Sequence, residues 1–363
     1  MIGPHRLPVV FPPETEERLS SWMARMAPFY AMSVPEFVDE LGLSGRGVFD
    51  MEWCLPEGEG ALIVHRTGLS GAAVQAMTFR DVVPEARMMI ARKNRHHCPL
   101  CPADVHRKST ALPWRFRCLV HDVELRDASG ATLSDMLGAA RIKTLESPAR
   151  AGAAVLDAWA RGEGEGALGP TEVLAVLTTR HRRASPPSIA EQPRMSLQTR
   201  RDYHEFLTTP IIRQALTVVV PEYDQVALVL AKPVRSGLHA LAQSSLLQAF
   251  ALTVGVGRIV EEPITRVIDV LLASDAERQG RVRDALKTWP LTSRRRISAG
   301  FWRAQRGERE RQIAEKATKQ RQSHKPRLIQ SHKYRYRISG TPVGFSRKCL
   351  SLINSGVPTD VVG

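Results

Sequence analysis

Four residues of this chain have types and spacing that could do chemistry together. Cys98 and Cys101 lie in Cys98-Pro99-Leu100-Cys101, and sixteen residues later Cys118 and His121 lie in Cys118-Leu119-Val120-His121. Thiolate and imidazole are ligands that suit zinc in a tetrahedral shell. A two-residue gap lets one tight turn aim both members of a pair at one ion, and Pro99 presets the backbone of such a turn. Three thiolates and a neutral histidine around a divalent ion leave about one net negative charge. Arg92, Lys93, Arg95, Arg115 and Arg117 flank the motif and are expected to offset that charge and to favour the thiolate form. The competing reading is two chance cysteine pairs buried as small hydrophobes. Three of the five cysteines fall in the pattern, which favours a metal site. A catalytic zinc would keep an open position beside a general base, and no glutamate nearby is placed as one. His96, His97 and His106 are alternative ligands, but none completes a paired spacing. Cys54 and Cys349 are isolated and read as free thiols.

Composition sets the frame for that site. A chain of 363 residues with 43% hydrophobic content can build two or three domains with real cores. No run of eighteen apolar residues marks a transmembrane helix. The opening Met1-Ile2-Gly3-Pro4-His5 lacks a signal-peptide pattern, and an odd cysteine count with a metal-like cluster suits a reducing compartment. A cytoplasmic location is expected. The formal charge of +14 is concentrated: residues 291–348 hold 17 Lys/Arg against 3 Asp/Glu, and the rest of the chain is neutral by count. A charged segment on a balanced body points to an anionic partner. Nucleic acid leads; an acidic membrane surface is second, because the segment lacks an apolar face with Trp/Leu anchors.

Helices dominate the elements that must position these residues. Residues 1–13 are Pro-rich and extended. A helix is expected from Thr15 to Ala27, with Leu19, Trp22, Met23 and Met26 on one face. A second follows a capping box of Ser33 and Glu36, with Phe37, Val38 and Leu41 inward and Gly42 as its stop. Residues 44–62 read as a Gly-rich loop, and a short helix capped by Ser70 reaches Met77. Within the metal module at 92–127, Leu112 to Arg117 alternates like a strand. Its Trp114 and Phe116 are expected to pack the module's own small core. Beyond Leu133 helices are expected over 134–145, 149–161, 171–180, 197–207, 236–254, 264–273 and 276–288, with a linker at 183–195. Val218 to Val220 and Val226 to Leu230 are ambiguous between helix and strand. A helix-turn-helix around Ala251 to Gly255 is weak, since Glu261 and Glu262 would follow into its reading helix and repel phosphate. The first two helices are an equally plausible small reader.

The tail carries the candidate nucleic-acid contacts. Arg294, Arg295 and Arg296 open it. Gly307 to Gln322 reads as a solvated helix of mixed charge. Lys333, Tyr334, Arg335, Tyr336 and Arg337 then interleave cations with aromatic rings, a pattern that suits phosphate contact with base stacking. The competing reading is a bland solvated basic end.

Several of these segments together resemble the TniQ family. The likeness rests on Leu7-Pro8 with Pro12 and Glu16, on Ser20 to Ala27, on the Ser33 to Gly42 helix, and on Gly68-Leu69-Ser70 and Met77-Thr78. It continues through Arg95 to Cys101 and Leu112 to Leu125, and spans roughly residues 7–127. Further on only Ala285 to Pro290 is similar. The resemblance implies a target selector of bacterial transposons that performs no strand transfer. Such a protein marks the insertion site and recruits an AAA+ ATPase of TniB/TnsC type, which in turn recruits a DDE transposase. Some members bind DNA directly, and others dock on a CRISPR effector complex, often as dimers. Carried over, Cys98, Cys101, Cys118 and His121 become the ligands of one structural zinc. Many members have a second cysteine pair soon afterwards; Arg126-Asp127-Ala128-Ser129-Gly130 has none.

A mainly α protein is therefore expected, with a helix-turn-helix-like region at 1–90 and a zinc-finger module with short β elements at 91–130. A helical domain at 131–290 and a basic tail at 291–363 complete it. The expected function is a non-catalytic transposition accessory protein; the alternative is a stand-alone zinc-containing DNA-binding transcriptional regulator.

Overall fold

The computed structural model describes residues 5–43, 45–92, 94–164, 168–179, 213–223 and 237–323. The chain divides into two units, Met1–Trp302 and Arg303–Gly363. The first unit is helical. Its buried apolar residues form one cluster from Leu19 to Met77, a small one around Cys98, Cys118 and Leu125, and a large one from Phe79 to Phe301.

Five helices enclose the first cluster: α1 (Leu19–Phe29), α2 (Val34–Glu40), α3 (Val48–Trp53), α4 (Glu57–Thr67) and α5 (Gly71–Ala76). Leu19, Trp22, Met23 and Met26 recur at helical spacing and are all fully buried, with Trp22 edge-on to Phe37. Ser33 and Glu36 form the expected capping box on α2, and Ser70 caps α5. The extended start is held by Trp22 Nε1, which donates to the Phe11 carbonyl at 2.9 Å.

Two expectations here are corrected. The first helix starts at Leu19 rather than Thr15, because the preceding residues are used elsewhere. Glu16 is left-handed at φ +60°, and the Arg18 N–H donates to the His106 carbonyl at 2.9 Å. The same helix runs on to Phe29 rather than ending at Ala27, with Pro28 inside its last turn. Residues 44–62, read as loop, hold α3 and the start of α4. Glu57 and Glu59 sit in the first turn of α4 and Arg66 in its last, which complements the helix dipole. Gly60 is buried inside the helix beside the Leu55 side chain and forms no turn.

A 3-10 turn (Pro84–Met89) leads to the metal module, which contains the one-turn α6 (Lys108–Ala111). No strand forms among the described residues. Pairing is limited to three isolated antiparallel bridges: Glu17 with Arg107, His97 with Arg126, and Arg117 with Glu124. The strand expected at 112–117 is instead a turn, closed by the Arg115 N–H on the Leu112 carbonyl.

The large cluster is built from α7 (Leu133–Leu137), α8 (Ala139–Ala160), α9 (Pro170–Leu177), α10 (Arg213–Val219), α11 (His239–Gln243), α12 (Leu246–Glu261), α13 (Pro263–Leu272) and α14 (Ala276–Ala285). α12 is buried along nearly its whole length and crosses α8 backbone to backbone. A methyl group at Gly152 would stand 1.9 Å from the Thr253 carbonyl oxygen, and one at Gly257 2.3 Å from that of Pro148. That packing carries α8 straight through Pro148, where two separate helices were expected. It also keeps Gly255 inside α12, so the weak helix-turn-helix has no turn. The 236–254 helix is broken at Ser244, and Ser245 caps α12. Val218 and Val219 are helical; Val226 to Leu230, the 183–195 linker and the 197–207 helix lie outside the described residues.

The last helix, α15, spans Leu291–Ser323. Ile297 and Phe301, four residues apart, are buried in the large cluster, and Trp289 just before it donates to the Glu172 carbonyl at 3.2 Å. From Glu308 to Gln320 every residue is exposed.

Candidate metal centre

Cys98, Cys101, Cys118 and His121 come together, their ligand atoms all within 4.8 Å of one another. The Cys101 and Cys118 sulfurs are 3.8 Å apart. His121 Nδ1 lies 3.4 Å from the sulfurs of Cys98 and Cys101 and 3.7 Å from that of Cys118. A tetrahedron with metal–sulfur bonds of about 2.3 Å and metal–nitrogen bonds of about 2.0 Å has edges of about 3.8 Å between sulfurs and about 3.5 Å between sulfur and nitrogen. These separations match the edges of such a shell. They also identify Nδ1 as the ring nitrogen turned toward the centre. Four protein donors fill a tetrahedron, so the arrangement suits a structural ion rather than one that activates water.

Local turns aim these donors. The Leu100 N–H points to the Cys98 sulfur at 3.4 Å. In the second pair the Asp122 N–H returns to the Cys118 carbonyl at 2.9 Å, with Asp122 itself left-handed at φ +49°. Aspartate tolerates that conformation better than most residues. Burial works against ionising the Cys118 thiol, yet N–H groups of His121 and Val120 outweigh it and bring its pKa to about 7. Burial raises Cys101 to about 11 even with a guanidinium beside it.

That guanidinium belongs to Arg107, which the sequence reading did not single out. It is buried, its Nε donates to the Cys101 sulfur at 3.1 Å, and its Nη1 donates to the Thr15 carbonyl. One side chain thus joins the metal cluster to the segment entering α1. The arginines expected to balance the cluster are engaged elsewhere. Arg115 pairs with Asp157 at 2.5 Å, Arg117 with Asp122 at 2.9 Å, and Arg95 donates to the Gln243 carbonyl at 2.8 Å. Arg92 is exposed, and Lys93 lies outside the described residues. His96 is buried but outside the cluster, and burial lowers its pKa to about 4, so it is neutral.

The module's aromatics were expected to pack its own core, and they face outward from it instead. Trp114 Nε1 donates to Asp157 of α8 at 2.7 Å, and Phe116 lies edge-on to Phe250 of α12 with centroids 4.9 Å apart. Toward α1, Arg18 and Glu52 form a buried ion pair at 2.6 Å. Arg18 also donates to Asn94 and to the Arg92 carbonyl, and Glu52 accepts from the Ser20 N–H. The module is thus fastened to α1 and α3 on one side and to α8 and α12 on the other.

Of the candidate nucleic-acid residues, Arg294, Arg295 and Arg296 lie in the first two turns of α15, with Arg295 and Arg296 exposed and Arg294 half-buried. Lys333, Tyr334, Arg335, Tyr336 and Arg337 lie outside the described residues, as does Cys349; Cys54 is an exposed free thiol. Among the described residues no helix is long and apolar enough to cross a membrane.

Comparison with known proteins gives one finding: the family model described as TniQ matches residues 8–125, from the extended start through the last buried residue of the metal module. No curated protein and no solved structure matches the chain. Residues 8–125 of this chain therefore form a TniQ domain.

Proposed function

We propose that this transposition-associated TniQ protein is a non-catalytic target selector. In this reading it marks an insertion site on DNA and recruits an AAA+ ATPase of TniB/TnsC type, which brings a DDE transposase. The observation that carries the reading is the family match, which ends at Leu125 and so takes in both the α1–α5 region and the whole Cys98/Cys101/Cys118/His121 cluster. The ion is zinc, held for shape: sulfur-rich tetrahedral donors select it, and when bound it cross-links two turns. The tail supplies sequence-independent phosphate contacts through Arg294, Arg295, Arg296 and the 333–337 run. A cytoplasmic protein associated with the nucleoid follows from that partner. Docking on a CRISPR effector complex, and pairing into a homodimer, belong to the same proposal.

The test is a pull-down with an AAA+ ATPase of TniB/TnsC type, combined with a footprint on candidate target DNA. ATPase retention together with a protected site supports the proposal. DNA protection with no ATPase retained would favour a stand-alone DNA-binding regulator.

A further inference from the structure

Residues outside the tail form a second basic surface. A cleft of about 760 Å³ opens where α3, the Pro84–Met89 turn and α11 meet, and its lining includes Arg46, Arg87, Arg92 and Arg95 with Asp50 as its one carboxylate. Arg46 is neutralised by Glu59 at 3.0 Å. The others keep their charge. Arg87 donates to the Trp53 carbonyl at 3.0 Å while lying over the Trp53 ring, and Arg95 donates to the Gln243 carbonyl. Carbonyl partners fix these guanidiniums in place without cancelling them.

Arg95 also lines an adjoining recess of about 630 Å³ that has no carboxylate and includes His97, His106 and Arg126. The two recesses adjoin at that residue, which places basic side chains along both. The body of the chain is neutral by count, so this arrangement reflects charge segregation rather than general basicity.

We infer that this groove seats the phosphodiester backbone of a nucleic-acid strand. The inference rests on the nucleic-acid reading above and adds a site apart from the tail. Guanidiniums fixed along adjoining recesses suit repeated phosphates, because each can fork onto two oxygens. The half-exposed Met88 offers apolar surface to sugars or bases beside these cations. A single small anion would need one convergent pocket, not two adjoining recesses.

The experiment uses the full-length, zinc-loaded chain and its Arg92→Ala/Arg95→Ala variant. Binding to labelled duplex DNA and to labelled single-stranded RNA is followed across a salt series. A protein lacking 303–363 is measured in parallel. The groove variant is expected to bind at least about tenfold more weakly at moderate salt, with the slope of log K against log salt reduced by about 1.8 on duplex or about 1.4 on a single strand. Whichever nucleic acid shows the change is the strand seated. Arg92→Lys/Arg95→Lys should restore most of the slope, and an unchanged melting temperature excludes misfolding. An unaltered slope in the groove variant, with a reduced one in the truncated chain, overturns the groove and leaves DNA binding by the tail intact. Wild-type chain that binds neither probe overturns both readings. Binding of poly-glutamate that the Arg92/Arg95 variant loses, with nucleic acid unaffected, would make the groove a seat for an acidic protein segment.

Discussion

Arg107 Nε donates to the Cys101 sulfur at 3.1 Å while the same guanidinium donates to the Thr15 carbonyl. A charged donor on a ligand sulfur both offsets the negative charge of a three-thiolate shell and fixes the ligand's position. Replacing Arg107 by Met keeps much of the bulk and removes both bonds. Zinc affinity should then fall about 10–100-fold, with faster transfer to a chelator. Stopped-flow absorbance with a colorimetric chelator measures it, and an unchanged rate would show that Arg107 plays no part in holding the ion.

The crossing of α8 and α12 has no room for a side chain at Gly152. Gly152→Ala brings a methyl against the Thr253 carbonyl, and the helices must separate to relieve it. Overpacking of this kind costs about 1–3 kcal/mol. Urea denaturation of the purified variant reads that loss; wild-type stability would mean the crossing is looser than these contacts.

Much of this arrangement was legible in the sequence where a signal is local. The Cys98/Cys101 and Cys118/His121 pairs announce themselves by spacing, and Ser33 with Glu36 by capping chemistry. Arg107, Arg18 and Glu52 were not legible, because their partners lie far along the chain and no spacing rule links Arg18 to Glu52. Pro148 misled for a related reason: its local cost to a helix is outweighed by packing on α12, which the local sequence does not reveal. Gly58 and Gly60 hid α4 because glycine's low helix propensity reads locally as loop, although the helix forms through both. The aromatic pair Trp114 and Phe116 was read correctly as apolar but assigned to the wrong partner, since the module is too small to bury them itself.

The basic tail has a structural boundary that its charge does not reveal. Charge marks residue 291 as its start, yet Ile297 and Phe301 are buried in the large cluster. Deleting 303–363 should leave the thermal melting point within a few degrees of wild type, whereas deleting from 291 removes two core side chains and should lower it sharply. Differential scanning fluorimetry on the two truncations distinguishes them. Equal melting points would place the start of α15 outside the core.

Acid should weaken the α10–α12 junction through Glu222. The Arg258 guanidinium, 2.6 Å away, holds the Glu222 carboxyl below its ordinary value against the opposing effect of burial. A carboxylate with a depressed folded pKa adds stability that is fully present above the unfolded value, about 4.3. That contribution is lost as pH falls through the lower folded value. Glu222→Gln should therefore show a shallower loss of stability below about pH 4.3 than wild type. Parallel pH-dependent curves would remove Glu222 from the acid response.

On the proposed reading, the metal cluster is a clasp whose ion would supply shape. The most direct measurement is the zinc content per chain of purified protein, taken with thermal unfolding before and after chelation and in Cys101→Ser. One zinc per chain is expected, with chelation and the substitution each lowering metal content and melting temperature together. Two zinc ions per chain, full zinc retention in Cys101→Ser, or a melting temperature indifferent to chelation would contradict a single structural ion at Cys98, Cys101, Cys118 and His121.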